Sequence, residues 1–117
     1  MENKVSVWLG KIPYEERLDE IICASYTADG DFIPSVFMKA FQIESLDHDF
    51  QEAFFSENIA EDLVHASYGE SFASKISITP GTCNAVFLFY DFAYSGAVTH
   101  AEGFDFMGVF DYKKRER

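Results

Sequence analysis

The sequence predicts an α+β domain with a central, mostly antiparallel β-sheet and helices packed mainly on one face. Three observations carry this. Residues 4–12 alternate Val5, Val7 and Leu9 against Ser6, Trp8 and Gly10, which is the two-residue period of a strand. Residues 85–92 (Ala-Val-Phe-Leu-Phe-Tyr-Asp-Phe) are apolar on both faces until Asp91, as expected of a strand covered on both sides. The order of segments, in which helices interrupt the early strands and three strands follow one another at the end, is that of an α+β chain.

Along the chain, Pro13 suits a first helical position, and Glu15 and Glu16 suit the positive end of a helix dipole. Tyr14, Leu18, Ile21 and Ile22 share one face of a helix over about 14–25. Asp29-Gly30-Asp31 signals a turn. After Pro34, the spacing of Phe37, Ala40 and Phe41 predicts a short second helix with Ser35 near its start. Residues 49–56 read as a strand with Phe50, Glu52 and Phe54 on one side. Asn58 and Glu61 read as a capping pair opening a helix to about Ser67, which Gly69 ends. A helical turn is expected over 70–76 and a loop at Thr79-Pro80-Gly81. A strand over about 97–101 follows the turn at Ser95-Gly96. The last strand alternates Phe104, Phe106, Gly108, Phe110 and Tyr112 against Asp105, Met107, Val109 and Asp111.

The 117 residues suit one domain, placed at 1–112, followed by a short basic tail at 113–117. Thirteen Phe and six Tyr supply enough ring area for a sizeable core. The formal net charge is −11, and because the tail contributes +3, residues 1–112 carry −14. Between Lys39 and Lys113 stand twelve acids and one base, Lys75. Such a surface repels nucleic-acid phosphates and anionic lipid and attracts a basic partner, so neither nucleic acid nor membrane is expected as a partner. No apolar run approaches the ~20 residues of a membrane span, and the N-terminus lacks a signal-peptide stretch. Cys23 and Cys83 have no metal-ligand spacing and are expected as free thiols in a reducing cytoplasm.

No motif announces catalysis. Asp29, Asp31, Asp47 and Asp49 invite a metal reading, but Ala28-Asp29-Gly30-Asp31-Phe32 lacks the residues of an EF-hand loop, and Asp beside Gly is ordinary turn chemistry. His48, His65 and His100 lie far apart and belong to no nucleophile motif. Trp8 reads as a buried ring, because its neighbours on that face, Ser6 and Gly10, are small enough to seat it. No metal, cofactor or catalytic residue is therefore assigned. The acids remain: Glu44, Asp47, Asp49, Glu52, Glu57, Glu61, Asp62 and Glu70 occupy residues 40–74 without a Lys or Arg.

Several stretches resemble one family. Val7-Trp8-Leu9-Gly10 on a strand, an acidic helix, the run Asp29-Gly30-Asp31-Phe32-Ile33-Pro34-Ser35-x-Phe37 and the pair Asp49-Phe50 are similar to the immunity protein 22 family of bacterial polymorphic toxin systems. The strand from Ala85 to Phe92 and the closing strand with Gly108 fit as well. The resemblance implies a cytoplasmic, non-enzymatic protein that binds a cognate toxin domain and blocks it without chemistry. Glu44, Asp47, Asp49, Glu52, Glu57, Glu61 and Asp62 are the expected partner-binding acids, with Phe54, Phe55 or Tyr68 as apolar anchors beside them. The acidity suggests a basic toxin such as a nuclease, whose substrate cleft must be basic. Two other readings remain open at this point. One is a small carboxylate-dependent metal hydrolase using Asp29, Asp31, Asp49 and His48; the other is an acidic module for a non-toxin protein.

Overall fold

In a computed structural model, the described residues are 3–43, 50–66, 68–78 and 81–112. Five strands form one antiparallel sheet: β1 (Lys4–Gly10), β4 (Gln51–Phe55), β5 (Ala85–Tyr90), β6 (His100–Ala101) and β7 (Phe104–Asp111), in the spatial order β4-β5-β1-β7-β6. Strands β2 (Ser25–Tyr26) and β3 (Phe32–Ile33) make a separate hairpin. The helices are α1 (Glu15–Ile22), α2 (Val36–Ala40) and α3 (Ile59–His65), with short 3₁₀ turns at Gly69–Ser71 and Ala73–Lys75.

The expected α+β fold is the one found. Strand alternation sends Trp8, Ala85, Phe87 and Phe89 to one side of the sheet, where α1 (Leu18, Ile21, Ile22) and α2 (Phe37, Met38) cover them together with Phe41. Val5, Val7, Leu9, Val86 and Leu88 point to the other side, under α3 (Ile59, Leu63) with Phe72 and Ile76. Two of the three helices thus share a face, and the third closes the opposite core. All six residues of β5 are buried, because both of its faces are roofed.

Trp8 is fully buried, as its small neighbours predict. Its ring centroid lies 5.0 Å from Phe37, 5.1 Å from Phe106, 5.4 Å from Tyr94 and 5.7 Å from Phe41. Edge and tilted geometries dominate this nest, as the ring quadrupoles prefer. Ser6, also fully buried, donates its hydroxyl to the Phe92 carbonyl at 2.6 Å and accepts the Tyr94 N–H at 2.9 Å, which ties the loop after β5 to β1. Asn84 extends the ladder beyond Gly10: its side chain accepts the Ile12 N–H at 2.9 Å and donates to the Ile12 carbonyl at 2.8 Å.

Strand β7 departs from the simple alternation. Phe104 and Phe106 enter the α1/α2 core, whereas Phe110 and Tyr112 join the α3 core. The register explains the switch. Val7 pairs with Gly108 and Trp8 with Phe106, so Met107 is an extra residue, a β-bulge that exchanges the two faces. Gly108 adopts φ 136°, a left-handed backbone closed to most side chains.

Element ends differ from expectation in smaller ways. Helix α1 starts two residues after Pro13 and stops at Ile22, because Cys23 turns extended (φ −79°, ψ 125°) and feeds β2. Helix α3 ends at His65, and Gly69 opens a 3₁₀ turn. Only His100–Ala101 of the strand expected over 97–101 pairs with β7. Truncating Trp8 to Ala should remove ~3–5 kcal/mol of stability, the usual cost of emptying a large aromatic site. A urea midpoint within experimental error of the wild type would show that the nest is not central to the fold.

Candidate partner-binding surface

Of the seven acids singled out by sequence, Glu44, Asp47 and Asp49 lie outside the described residues, as does His48. Glu52 sits half-buried on the edge strand β4 and accepts a hydrogen bond from the Tyr90 hydroxyl at 2.7 Å. Burial, reinforced by this bond and by the Glu52 charge, pushes the Tyr90 hydroxyl well above its ordinary value, so it stays a donor. Glu52 therefore has an internal partner.

Glu57, Glu61 and Asp62 gather at the start of α3. The Asn58 side-chain carbonyl accepts the Glu61 N–H, and its amide donates to the Glu61 carboxylate at 2.9 Å. The capping pair expected from the sequence is present, and it orients Glu61. Glu57 and Glu61 are exposed and Asp62 is half-buried. Between them and His65 the outer face of α3 shows Val64, 51% exposed. Phe54 and Phe55 do not share a face: Phe54 packs on the α3 core and Phe55 on the α1/α2 core. Tyr68 is half-buried and stacks on Tyr112 at 5.1 Å.

The distribution of ion pairs reveals a second acidic face that the count along 40–74 missed. Among the described residues, Lys4 pairs with Asp111, Arg17 with Glu102 at 3.2 Å and His100 with Asp105 at 2.6 Å. All three acidic partners lie on or beside the last two strands. The exposed acids of α1 (Glu15, Glu16, Asp19, Glu20) and of the hairpin tip (Asp29, Asp31) make no ion pair among the described residues. The only base within residues 13–36 is Arg17, and Glu102 occupies it. Because α1 and α3 cover opposite sides of the sheet, the two acidic faces point away from each other.

A cleft of about 410 Å³ opens where the end of β1 and the β6–β7 hairpin face the loop before β5, lined by Lys11, Ile78, Cys83, His100, Asp105 and Met107. Burial pushes the Cys83 thiol above its usual value, only partly offset by the Lys11 charge, so the sulfur is held protonated. That is the reverse of an activated nucleophile. Asp29 and Asp31, two members of the hydrolase reading, stand exposed in the hairpin turn. Among the described residues no three His, Cys, Asp or Glu side chains form a group able to hold a metal ion. No described helix is long and apolar enough to cross a membrane.

The arrangement defines a class: a small α+β domain with a two-sided core and two outward acidic faces. Residues 5–113 match the family described as Immunity protein 22, and the chain belongs to that family. Membership points to toxin neutralisation, with a cognate toxin as partner. No curated protein and no solved structure matches the chain.

Replacing Asn58 by Ala should cost ~1 kcal/mol through loss of the α3 cap, read as a lower urea midpoint at unchanged slope. An unchanged midpoint would mean that the cap is not used. Both cysteines are free, Cys23 exposed and Cys83 buried. Iodoacetamide at pH 8 should thus alkylate Cys23 at least ~10-fold faster than Cys83, a difference that urea abolishes. Equal rates in the folded protein would contradict the burial of Cys83.

Proposed function

We propose that this chain is a cytoplasmic, non-catalytic inhibitor that covers the active region of a basic toxin domain, with an acidic surface drawing the two together. The single observation supporting the basic partner is the charge of −14 over residues 1–112 in a member of an immunity family. Charge of one sign over a whole domain accelerates encounter with the opposite sign and discourages nucleic acid. A nuclease fits this description, because a cleft that binds phosphates must be basic, and an acidic protein laid over it competes with the substrate on the same terms.

In this reading the partner-binding acids are those named from the sequence: Glu44, Asp47, Asp49, Glu52, Glu57, Glu61 and Asp62. Glu57 and Asp62 are the informative pair to alter, since Glu61 also serves the helix cap and Glu52 holds Tyr90. Val64, exposed between α3 acids, offers a small apolar contact within the same face. Binding here needs no cofactor.

The test is association with the purified toxin domain, measured by stopped flow between ~50 and ~500 mM salt, where screening changes most. The wild-type rate should fall steeply with salt. A Glu57→Lys/Asp62→Lys variant should associate ~10-fold more slowly at low salt and show a flatter salt dependence, as expected when a steering charge is reversed. A variant indistinguishable from the wild type in both would remove α3 from the interface.

A further inference from the structure

The β2–β3 hairpin displays two large rings that neither core uses. Tyr26 and Phe32 are directly opposed across the hairpin, and their centroids lie 5.7 Å apart in an edge-on arrangement. Tyr26 is 64% exposed and Phe32 38%. Neither ring belongs to the clusters on the two sides of the sheet. Strand alternation explains their direction: the other opposed pair, Ser25 and Ile33, points the opposite way, and Ile33 is half-buried. Ile33 is thus the more covered side chain of the hairpin and Tyr26 the most exposed of its large rings.

The turn between them is firmly built. The Gly30 N–H donates to the Thr27 carbonyl at 2.9 Å, the Thr27 N–H to the Asp31 carbonyl at 2.9 Å, and the Asp31 N–H to the Thr27 hydroxyl at 3.0 Å. Gly30 takes the positive φ of 89° that such a loop requires. A cross-strand aromatic pair adds only a little to the stability of a hairpin, and smaller β-branched residues would do this with less ring surface in water. Rigid aromatics on a fixed support are instead what binding surfaces use, because Tyr loses little side-chain freedom and dominates interface energetics.

We propose that this hairpin is the apolar anchor by which the chain grips its cognate toxin, with Tyr26 seating in an apolar pocket rimmed by basic residues. The proposal rests on the reading that the chain binds a toxin; it places the close, long-lived contact on the hairpin, and the α3 acids on the opposite side of the sheet then act on the encounter through their field. Charge selects the occupant. Asp29 and Asp31 stand exposed between the two rings in sequence, α1 feeds the hairpin with Glu15, Glu16, Asp19 and Glu20, and against these six acids stand two bases, Arg17, which is held by Glu102, and Lys39 on α2. A second copy of the chain would bring the same acids and be repelled, as would a nucleic acid. A basic protein surface is the complement.

The experiment compares wild-type chain, Tyr26→Ala and Tyr26→Phe for binding to the purified, catalytically inactivated toxin domain, with hydrogen exchange on the wild-type complex. Tyr26→Ala should weaken binding by roughly 30-fold or more, the scale of an aromatic hot spot, chiefly through faster dissociation. Tyr26→Phe should stay within ~3-fold of the wild type, since it keeps the ring. Amides of residues 25–33 should gain protection in the complex. The ring lies outside both cores, so each variant should still unfold in one cooperative urea transition with a midpoint only slightly below the wild type, which separates lost contact from lost fold. Wild-type affinity in Tyr26→Ala, or protection confined to α3, would overturn the assignment. If the wild-type chain did not bind the toxin at all, the toxin-binding reading would fail and the hairpin assignment with it.

Discussion

Strand β1 is hydrogen-bonded along both edges, to β5 on one side and β7 on the other, and its large apolar side chains are each committed to one of two cores. The rest of the molecule depends on that double commitment. Trp8 organises the core under α1 and α2; Val5, Val7 and Leu9 supply the floor of the core under α3. A slip of one residue would send the indole to the wrong side and break both cores at once. The bulge at Met107 shows how tightly the constraint binds the neighbours. It allows one strand to give Phe104 and Phe106 to the first core and Phe110 and Tyr112 to the second, where an unbroken alternation would have starved one of them.

Much of this was legible in residue order. The alternation of residues 4–12, the uniformly apolar run at 85–90, the cap at Ser35 accepting the Met38 N–H and the Asn58–Glu61 pair all read correctly, because each depends on local chemistry or on burial that a sequence period reports. The face switch in β7 was not legible, since a bulge is decided by the partner strand; Gly108 was the only hint, and an isolated glycine in a strand has several meanings. The early end of α1 was also hidden. Ile21 and Ile22 complete its buried face, and the pairing of Ser25 with Ile33 then draws the chain into a hairpin, a tertiary preference that helical spacing does not register.

Charge was legible as a total and illegible as a pattern. Counting acids along residues 40–74 pointed to α3, yet Glu52 proves to be engaged by Tyr90 and Glu61 by Asn58. The count also began only after Lys39 and so left out the acids of α1. In space Arg17 is turned to Glu102, 85 residues away, and the helix keeps its negative face. The bases of the body are few, and where they are held decides which acids face outward unopposed. A surface of this kind is a property of the folded chain, not of any window within it.

The two outward features are suited to different stages of one encounter. Acids spread over both faces create a field that reaches about a Debye length, ~8–10 Å at moderate salt, and such a field raises the rate of meeting without specifying a close fit. Rings have no such reach; they act only when water has left the contact, and then they govern how long it lasts. In this chain the rings stand on a hairpin whose tip carries acids, so the group that attracts and the group that holds are within a few residues of each other. A separate acidic face on α3 adds to the field from the opposite side of the sheet. That division would let the aromatic contact vary with the toxin while the acidic surface, and with it the speed of capture, stays the same.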